Sequence, residues 1–155
     1  MRETFGYHVK SISDREHREL QPKEVYDIFM RDFVNLTGEI AFLGARYDES
    51  VAGQVQGSVV LEYRDERPCI DATGNGRLDC VSTAVKSLLA EDFLLESYTQ
   101  HAIEGKSSAK AASYVSISLR GNVFWGCGID SDVGVSSIKA LISAVNKLIS
   151  AGKNS

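Results

Sequence analysis

The sequence predicts an α+β fold: two βββα units packed together, preceded by a short helical linker segment. Three observations carry the prediction. From Leu36 onward the order strand, strand, strand, helix occurs twice. Each third strand ends on a glycine, and these two residues, Gly74 and Gly128, stand 54 positions apart. Both hydrophobic periods are present: Val115, Ile117 and Leu119 alternate with Ser116, Ser118 and Arg120, whereas Val135 to Ile149 carries apolar residues at helical spacing.

Residues 1–35 form the linker segment, 36–91 the first unit and 92–155 the second. Ser13 to Glu19 is charge-rich and reads as a solvated connection. Pro22 then opens a helix, since a missing N–H costs nothing at a first helical position. Val25, Ile28, Phe29 and Phe33 give that helix one apolar stripe. Phe5, Tyr7, Val9 and Ile12 supply a surface for it, or else cover a neighbouring chain or a further domain.

In the first unit, strands are expected at Ile40–Tyr47, Ser58–Arg64 and Cys69–Thr73, with a turn at Asp65–Pro68. A helix follows from Leu78 to Ala90, with Leu78, Val81, Val85, Leu88 and Leu89 inward. In the second unit the strands are Leu94–Glu104, Ala111–Arg120 and Val123–Cys127, with a loop at Glu104–Ser108 and a hairpin turn at Gly121-Asn122. The alternation in 115–120 predicts a strand buried on one face only. The last helix, Asp132–Ser150, has a wide stripe from Val135 through Ile138, Leu141, Ile142, Val145 and Leu148 to Ile149. A unit of three strands and one helix is too small to bury both of its apolar surfaces, so the two should pack together and helices should meet a second subunit.

The chain has 155 residues, 17 basic against 21 acidic, for a net charge of −4. That leaves no excess of cations to neutralise a nucleic-acid backbone. A (β/α)₈ barrel, which takes roughly 250 residues, is excluded. No stretch is expected to approach the ~20 apolar residues of a membrane span, and the start Met-Arg-Glu-Thr-Phe-Gly lacks signal-peptide character. Cys69, Cys80 and Cys127 form neither a CxxC pair nor a disulfide framework, so free thiols in a reducing cytoplasm are expected. His8, His17 and His101 make no HxH or HxxxH pair, which gives a transition metal little to bind.

Four short motifs then carry a resemblance. Ala72-Thr73-Gly74-Asn75-Gly76-Arg77-Leu78-Asp79 resembles the Gly-Asn-Gly-Pro segment of the C-terminal regulatory domain of 2-isopropylmalate synthases. Tyr98-Thr99-Gln100-His101-Ala102 resembles that domain's Tyr-x-x-His-Ala, and Ala109-Lys110-Ala111 its Ala-x-Ala. Trp125 to Ile129, followed by Ser137 to Asn146, resembles its closing strand and helix. The motifs span Leu36 to Ile149 in the family's order, and Phe5 to Phe33 resembles its helical linker. Arg77 departs from the pattern, standing where the family usually has Pro.

The resemblance implies an acyltransferase of leucine biosynthesis that condenses acetyl-CoA with 2-oxoisovalerate and is inhibited by leucine. The divalent metal and acetyl-CoA belong to a catalytic barrel for which this length has no room. This portion is therefore expected to be inactive alone and to need no cofactor or metal. The partners implied are leucine, a second copy of the chain and the catalytic barrel. An isoleucine-sensing domain of a citramalate synthase, and a dimerisation module without a ligand, are the alternatives. A free-standing enzyme is disfavoured, because no nucleophile, base and carboxylate stand at recognisable spacing.

Each expected effector residue also has a plain structural reading. Gly74, Asn75 and Gly76 stand between a strand and a helix, where free N–H groups and the helix dipole favour a carboxylate. Their plain reading is a tight turn needing positive φ. Leu78 and Asp79 open that helix. Asp132 either caps the last helix or faces an ammonium group, with Val133 beside it. Leu95, Tyr98 and His101 are pocket wall or structure. Ala102, Ala109 and Ala111 are small residues on strands, making room for a branched side chain or for close sheet–helix packing.

Overall fold

A computed structural model describes residues 1–103 and 110–153 of the chain. Its order is α1 (Arg2–Glu16), α2 (Pro22–Phe33), β1 (Ile40–Asp48), β2 (Val55–Tyr63), β3 (Cys69–Gly74) and α3 (Arg77–Leu89), then β4 (Leu94–Ile103), β5 (Lys110–Leu119), β6 (Asn122–Asp130) and α4 (Val133–Lys153). Each βββ run is an antiparallel sheet in sequential order, β1-β2-β3 and β4-β5-β6. The two βββα units expected from the sequence are therefore present, and so is the helical segment before them.

Local chemistry sets the boundaries. Pro22 opens α2, where the Glu24 carboxylate accepts from the Gln21 N–H at 3.2 Å and from Arg18 Nη1 at 3.0 Å. Between β2 and β3, Arg64 and Asp65 both take positive φ (51° and 62°), which suits the twist of a tight hairpin. The β5–β6 hairpin turns at Arg120 and Gly121 (φ 50° and 82°), one residue earlier than predicted, with Asn122 already paired to Leu119.

Each first strand carries one irregularity, at Phe42/Gly44 in β1 and at Leu95/Ser97 in β4. A bulge moves the following residues to the opposite face. It thus brings Tyr98, Gln100 and Ala102 to the face that Leu95 shares with Ile117 and Val115. The internal repeat extends to this detail.

One apolar core joins the units. It runs from Ile40, Val59 and Leu61 of the first sheet through Val81 and Val85 of α3 to Val115, Ile117, Leu141 and Val145. Helix α4 lies chiefly on β6 and β5 and also reaches β1 and α3. Two glycines permit that approach. A side-chain carbon at Gly128 would fall on the Ser136 carbonyl and 2.6 Å from Ala140 N, and one at Gly126 on the Ala140 carbonyl and 2.5 Å from Ala144 N. Polar groups on α4 are satisfied where they enter the core. Ser136 Oγ meets Ser113 Oγ at 2.6 Å, and Asn146 bonds both the N–H and the carbonyl of Ile40 at 3.1 Å.

Four expectations need correction. The segment before Pro22 is helical as far as Glu16, and α1 stops where His17 adopts a left-handed conformation (φ 55°), so only 17–21 is a connection. Helix α1 packs by Phe5 on Phe29 and Phe33, at ring distances of 5.1 and 5.5 Å, and by His8 on Asp32 at 2.6 Å. Strand β5 is buried on both faces: Ala112 and Ser116 each keep 2% of their surface, because small side chains in a central strand are shaded by taller neighbours. Val135 is not part of the inward stripe and stays exposed beside Val133. Finally, α4 is long and apolar enough to cross a membrane by length and composition; here it is the core helix, with 61% of its most apolar window buried.

The α1–α2 hairpin is fastened to the second unit. Asn35 bonds Cys127 and Ile129 of β6 through its backbone and side chain, and Leu36 N–H donates to Ser143 Oγ at 2.8 Å. Lys147 of α4 sits with its ammonium 3.0 Å from the centre of the Phe33 ring. Burial pushes the Lys147 ammonium down to about 8, against the opposing pull of Asp32.

Candidate functional site

The β3–α3 junction is built by close packing. A side chain at Gly74 would meet Cys80 N at 2.5 Å and the Asp79 carbonyl carbon at 2.8 Å, so this glycine lets strand and helix touch. Neither Gly74 nor Gly76 takes a positive φ, so the tight-turn reading fails for both. Gly76 caps α3 in an extended conformation (φ −160°) with open space where a side chain would be. No side chain caps this helix start, which leaves its first-turn N–H groups facing outward. Asp79 Oδ2 accepts from Asn75 N–H at 2.9 Å, so the carboxylate closes the turn. Leu78 is half-buried at the edge of the core.

The matching junction in the second unit is β6–α4. There Asp132 caps the helix, its Oδ1 accepting from Val135 N–H at 3.0 Å. Asp130 accepts from Asp132 N–H at 2.9 Å and from Lys139 Nζ at 2.7 Å. Those bonds, the backbone one first, hold its carboxyl below the usual range. Val133 is 45% exposed.

The remaining candidates lie on the edge strand of the second sheet. Leu95, Tyr98 and Ala102 share the face on which α4 packs, with Ala102 paired to Ala111 on β5. Because α4 lies mainly on β5 and β6, this face of β4 is left largely uncovered: Tyr98 is 37% exposed and Ala102 is exposed. The Tyr98 hydroxyl donates to Gln100 Oε1 at 2.6 Å. His101 points the other way, against Tyr114, with ring centres 5.1 Å apart. Tyr98 and His101, adjacent in one motif, thus serve opposite faces of the sheet. Ala109 lies outside the described residues, as does the Glu104–Ser108 loop.

Sequence reasoning missed a cluster between the start of α3 and the end of β1. Arg77 donates from Nε to Glu49 Oε1 at 2.7 Å and lies 4.8 Å over the Tyr47 ring. Only a contact between residues 28 positions apart reveals this grouping. A cleft of about 620 Å³ crosses the first sheet at Tyr47, Ser58 and Asp71 and so borders this cluster through Tyr47. Others, of about 450 and 400 Å³, lie at Glu39, Arg64 and Lys153 and between Ile40, Phe42, Ile138 and Ile142. Among the described residues, no three His, Cys, Asp or Glu side chains are grouped to hold a metal ion.

The structure thus shows one helix start without a side-chain cap, at α3, one capped by Asp132, at α4, and a β4 face with Tyr98 and Ala102 left exposed. A family model described as the LeuA allosteric (dimerisation) domain matches residues 19–149. The chain is 41% identical over 150 residues to a 2-isopropylmalate synthase of Desulfitobacterium hafniense and 37% identical over 155 to one of Helicobacter hepaticus. A third, from Corynebacterium efficiens, is 28% identical over 151. Each match covers 96% of this chain but 26–28% of the relative, so the chain spans little more than a quarter of their length.

Proposed function

We propose that this chain, which belongs to the LeuA allosteric (dimerisation) domain family, is the leucine-sensing part of a 2-isopropylmalate synthase and acts as a homodimer. The catalytic condensation of acetyl-CoA with 2-oxoisovalerate, and its divalent metal, would reside in the remainder of the enzyme. This portion would need neither cofactor nor metal and would be inactive alone.

The observation that supports sensing best is the β4 face that α4 leaves uncovered, where Ala102 and Ala111 pair beside Tyr98. Small side chains there leave room for an isobutyl group, while the uncapped start of α3 would offer N–H groups, and the start of α4 Asp132, to its charged ends. Exposed Leu94, Val123, Val133 and Val135 are surface that a second copy would cover. Inhibition then follows from linkage: leucine binds one arrangement of the dimer better than another, and the catalytic part feels the difference.

The test is calorimetric titration and thermal unfolding with leucine, isoleucine and valine. Leucine should stabilise the folded state by about 2.7 kcal/mol at a hundredfold excess over its dissociation constant. Ala102→Phe should abolish binding while leaving the circular dichroism intact, since Ala102 is exposed in the chain and a larger side chain meets no packed core there. His101→Ala, on the opposite face, should bind leucine as before. Absence of stabilisation by all three amino acids at millimolar concentration would leave only the dimerisation module.

A further inference from the structure

We infer that Ser113 and Ser136 are positioning residues for the effector: their buried hydroxyl pair holds the first residue of α4 at a set distance from the strands that carry Ala102 and Ala111, and so sets how large a branched side chain that face admits. The inference rests on the effector reading above. Both serines are fully buried. Their hydroxyls meet at 2.6 Å, and Ser136 Oγ donates to the Val133 carbonyl at 2.8 Å. A hydroxyl has one proton to give, so the proton between the two serines comes from Ser113. The result is a directed chain from β5 through Ser136 to Val133, the first residue of α4, and bonds in such a chain strengthen one another. It starts in the row Gln100–Ser113–Gly128, next to the row Ala102–Ala111–Asp130 on the same face. That second row ends in Asp130, whose carboxylate accepts from the Asp132 N–H at 2.9 Å, so the start of α4 adjoins it.

The first unit shows that this arrangement of elements folds without the chain. There Gly57 and Ala72 are the cross-strand pair that matches Ser113 and Gly128, and Cys80 is the fourth residue of α3 as Ser136 is of α4. Gly57 has no side chain to offer, and Cys80 Sγ donates back to the Ala72 carbonyl of β3 at 3.4 Å. That bond leaves Arg77, the first residue of α3, out of it. Close packing accounts for a thiol against a glycine. It does not account for two buried hydroxyls, because an apolar pair of the same shape would be about as stable. What the hydroxyls add is direction, one fixed spacing of the Val133 backbone from β5.

The experiment compares wild type, Ser136→Ala and two double variants, Ser113→Ala with Ser136→Ala and Ser113→Gly with Ser136→Cys, the latter carrying the pair of the first unit. Urea unfolding reads the fold, hydrogen exchange reads the Val135 and Ser136 N–H groups, and calorimetry reads binding of leucine, isoleucine and valine. Ser136→Ala strands the Ser113 hydroxyl and should lower the unfolding midpoint, whereas the double alanine variant should recover most of it. Both double variants should still exchange faster at the start of α4. They should also lose leucine's advantage over isoleucine and valine by on the order of fivefold. Wild-type discrimination in the double variants, discrimination that merely follows the unfolding midpoint, or unchanged exchange would overturn the inference while leaving the effector reading standing. So would a wild type that binds all three amino acids alike. A wild-type chain that binds none of them would overturn both.

Discussion

The two βββα units share an order of elements and a bulge in the first strand, yet their helices meet their sheets differently. In the first unit the cross-strand pairs under the helix are Val59 with Ile70 and Gly57 with Ala72. In the second they are Val115 with Gly126 and Ser113 with Gly128. Side chains at Ile70 and Ala72 hold α3 off most of β3, and the helix backbone meets that strand at its last residue, Gly74. Gly57 on the middle strand faces Cys80, whose Sγ a side chain there would approach to 2.7 Å. On β6 both positions are glycine, so α4 touches the strand backbone itself. Its serines then reach the buried faces with short side chains, and α4 becomes the core helix of the whole molecule. Removing one layer of side chains from one strand changes which helix organises the fold.

The largest test of this contrast is Gly128→Val. The new side chain would occupy the place of the Ser136 carbonyl, and backbone yields poorly, so the loss should reach or exceed about 3 kcal/mol, the upper end of ordinary overpacking. Urea unfolding would read it, and a near-normal midpoint would refute backbone contact between β6 and α4.

Next comes Asn146→Ala. It strands the N–H and carbonyl of Ile40 in the core, which should cost about 2–3 kcal/mol. Faster hydrogen exchange should follow at the start of β1, since α4 fastens that strand from the other unit.

A smaller effect concerns the helical hairpin, which docks on the second unit. Hydrogen bonding from Arg31, and then from His8, holds the Asp32 carboxyl at about 2. A depressed carboxylate stabilises the fold fully above its unfolded value near 3.9, and that contribution is lost as pH falls through 2. Asp32→Asn should therefore cost about 1 kcal/mol at pH 7, after allowance for solvent screening. The gap between variant and wild type should close between pH 4 and pH 2 in urea titrations; a gap independent of pH would assign the effect to packing.

The smallest expected change mirrors the first. Ala72→Gly gives β3 the residue that β6 has at the matching position. Because α3 is also held off by Ile70, the helix should not close in, and the cost should be the ordinary 0.5–1 kcal/mol or so of a glycine in a strand. A gain in stability would mean that α3 can settle as α4 does.

Much of this architecture is legible in the sequence because its signals are local. Alternation at 115–120 placed β5, helical spacing at 138–149 placed α4, and Pro22 placed the start of α2, each through the repeat distance of one element. Helix α1 was less legible, since Gly6 and the polar run to Glu16 dilute its stripe and it becomes a helix by packing Phe5 and His8 on α2. Of the candidate site, Asp132 as a cap was readable, whereas Gly74 proved to serve close strand–helix packing and not a turn with positive φ. Which of Tyr98 and His101 joins the face of Leu95 was not readable, because the bulge between Leu95 and Ser97 sets it and a bulge is a property of paired strands. Nor was the meeting of Arg77 with Glu49 and Tyr47, residues brought together by the end of one strand and the start of a helix. The sequence by itself determined which segments are strands and helices and how they repeat, since backbone period and turn chemistry act over a few residues. Tertiary structure decided which face each strand shows, how closely each helix lies on its sheet and which charges share one end of the molecule, because these depend on atoms that are neighbours in space alone.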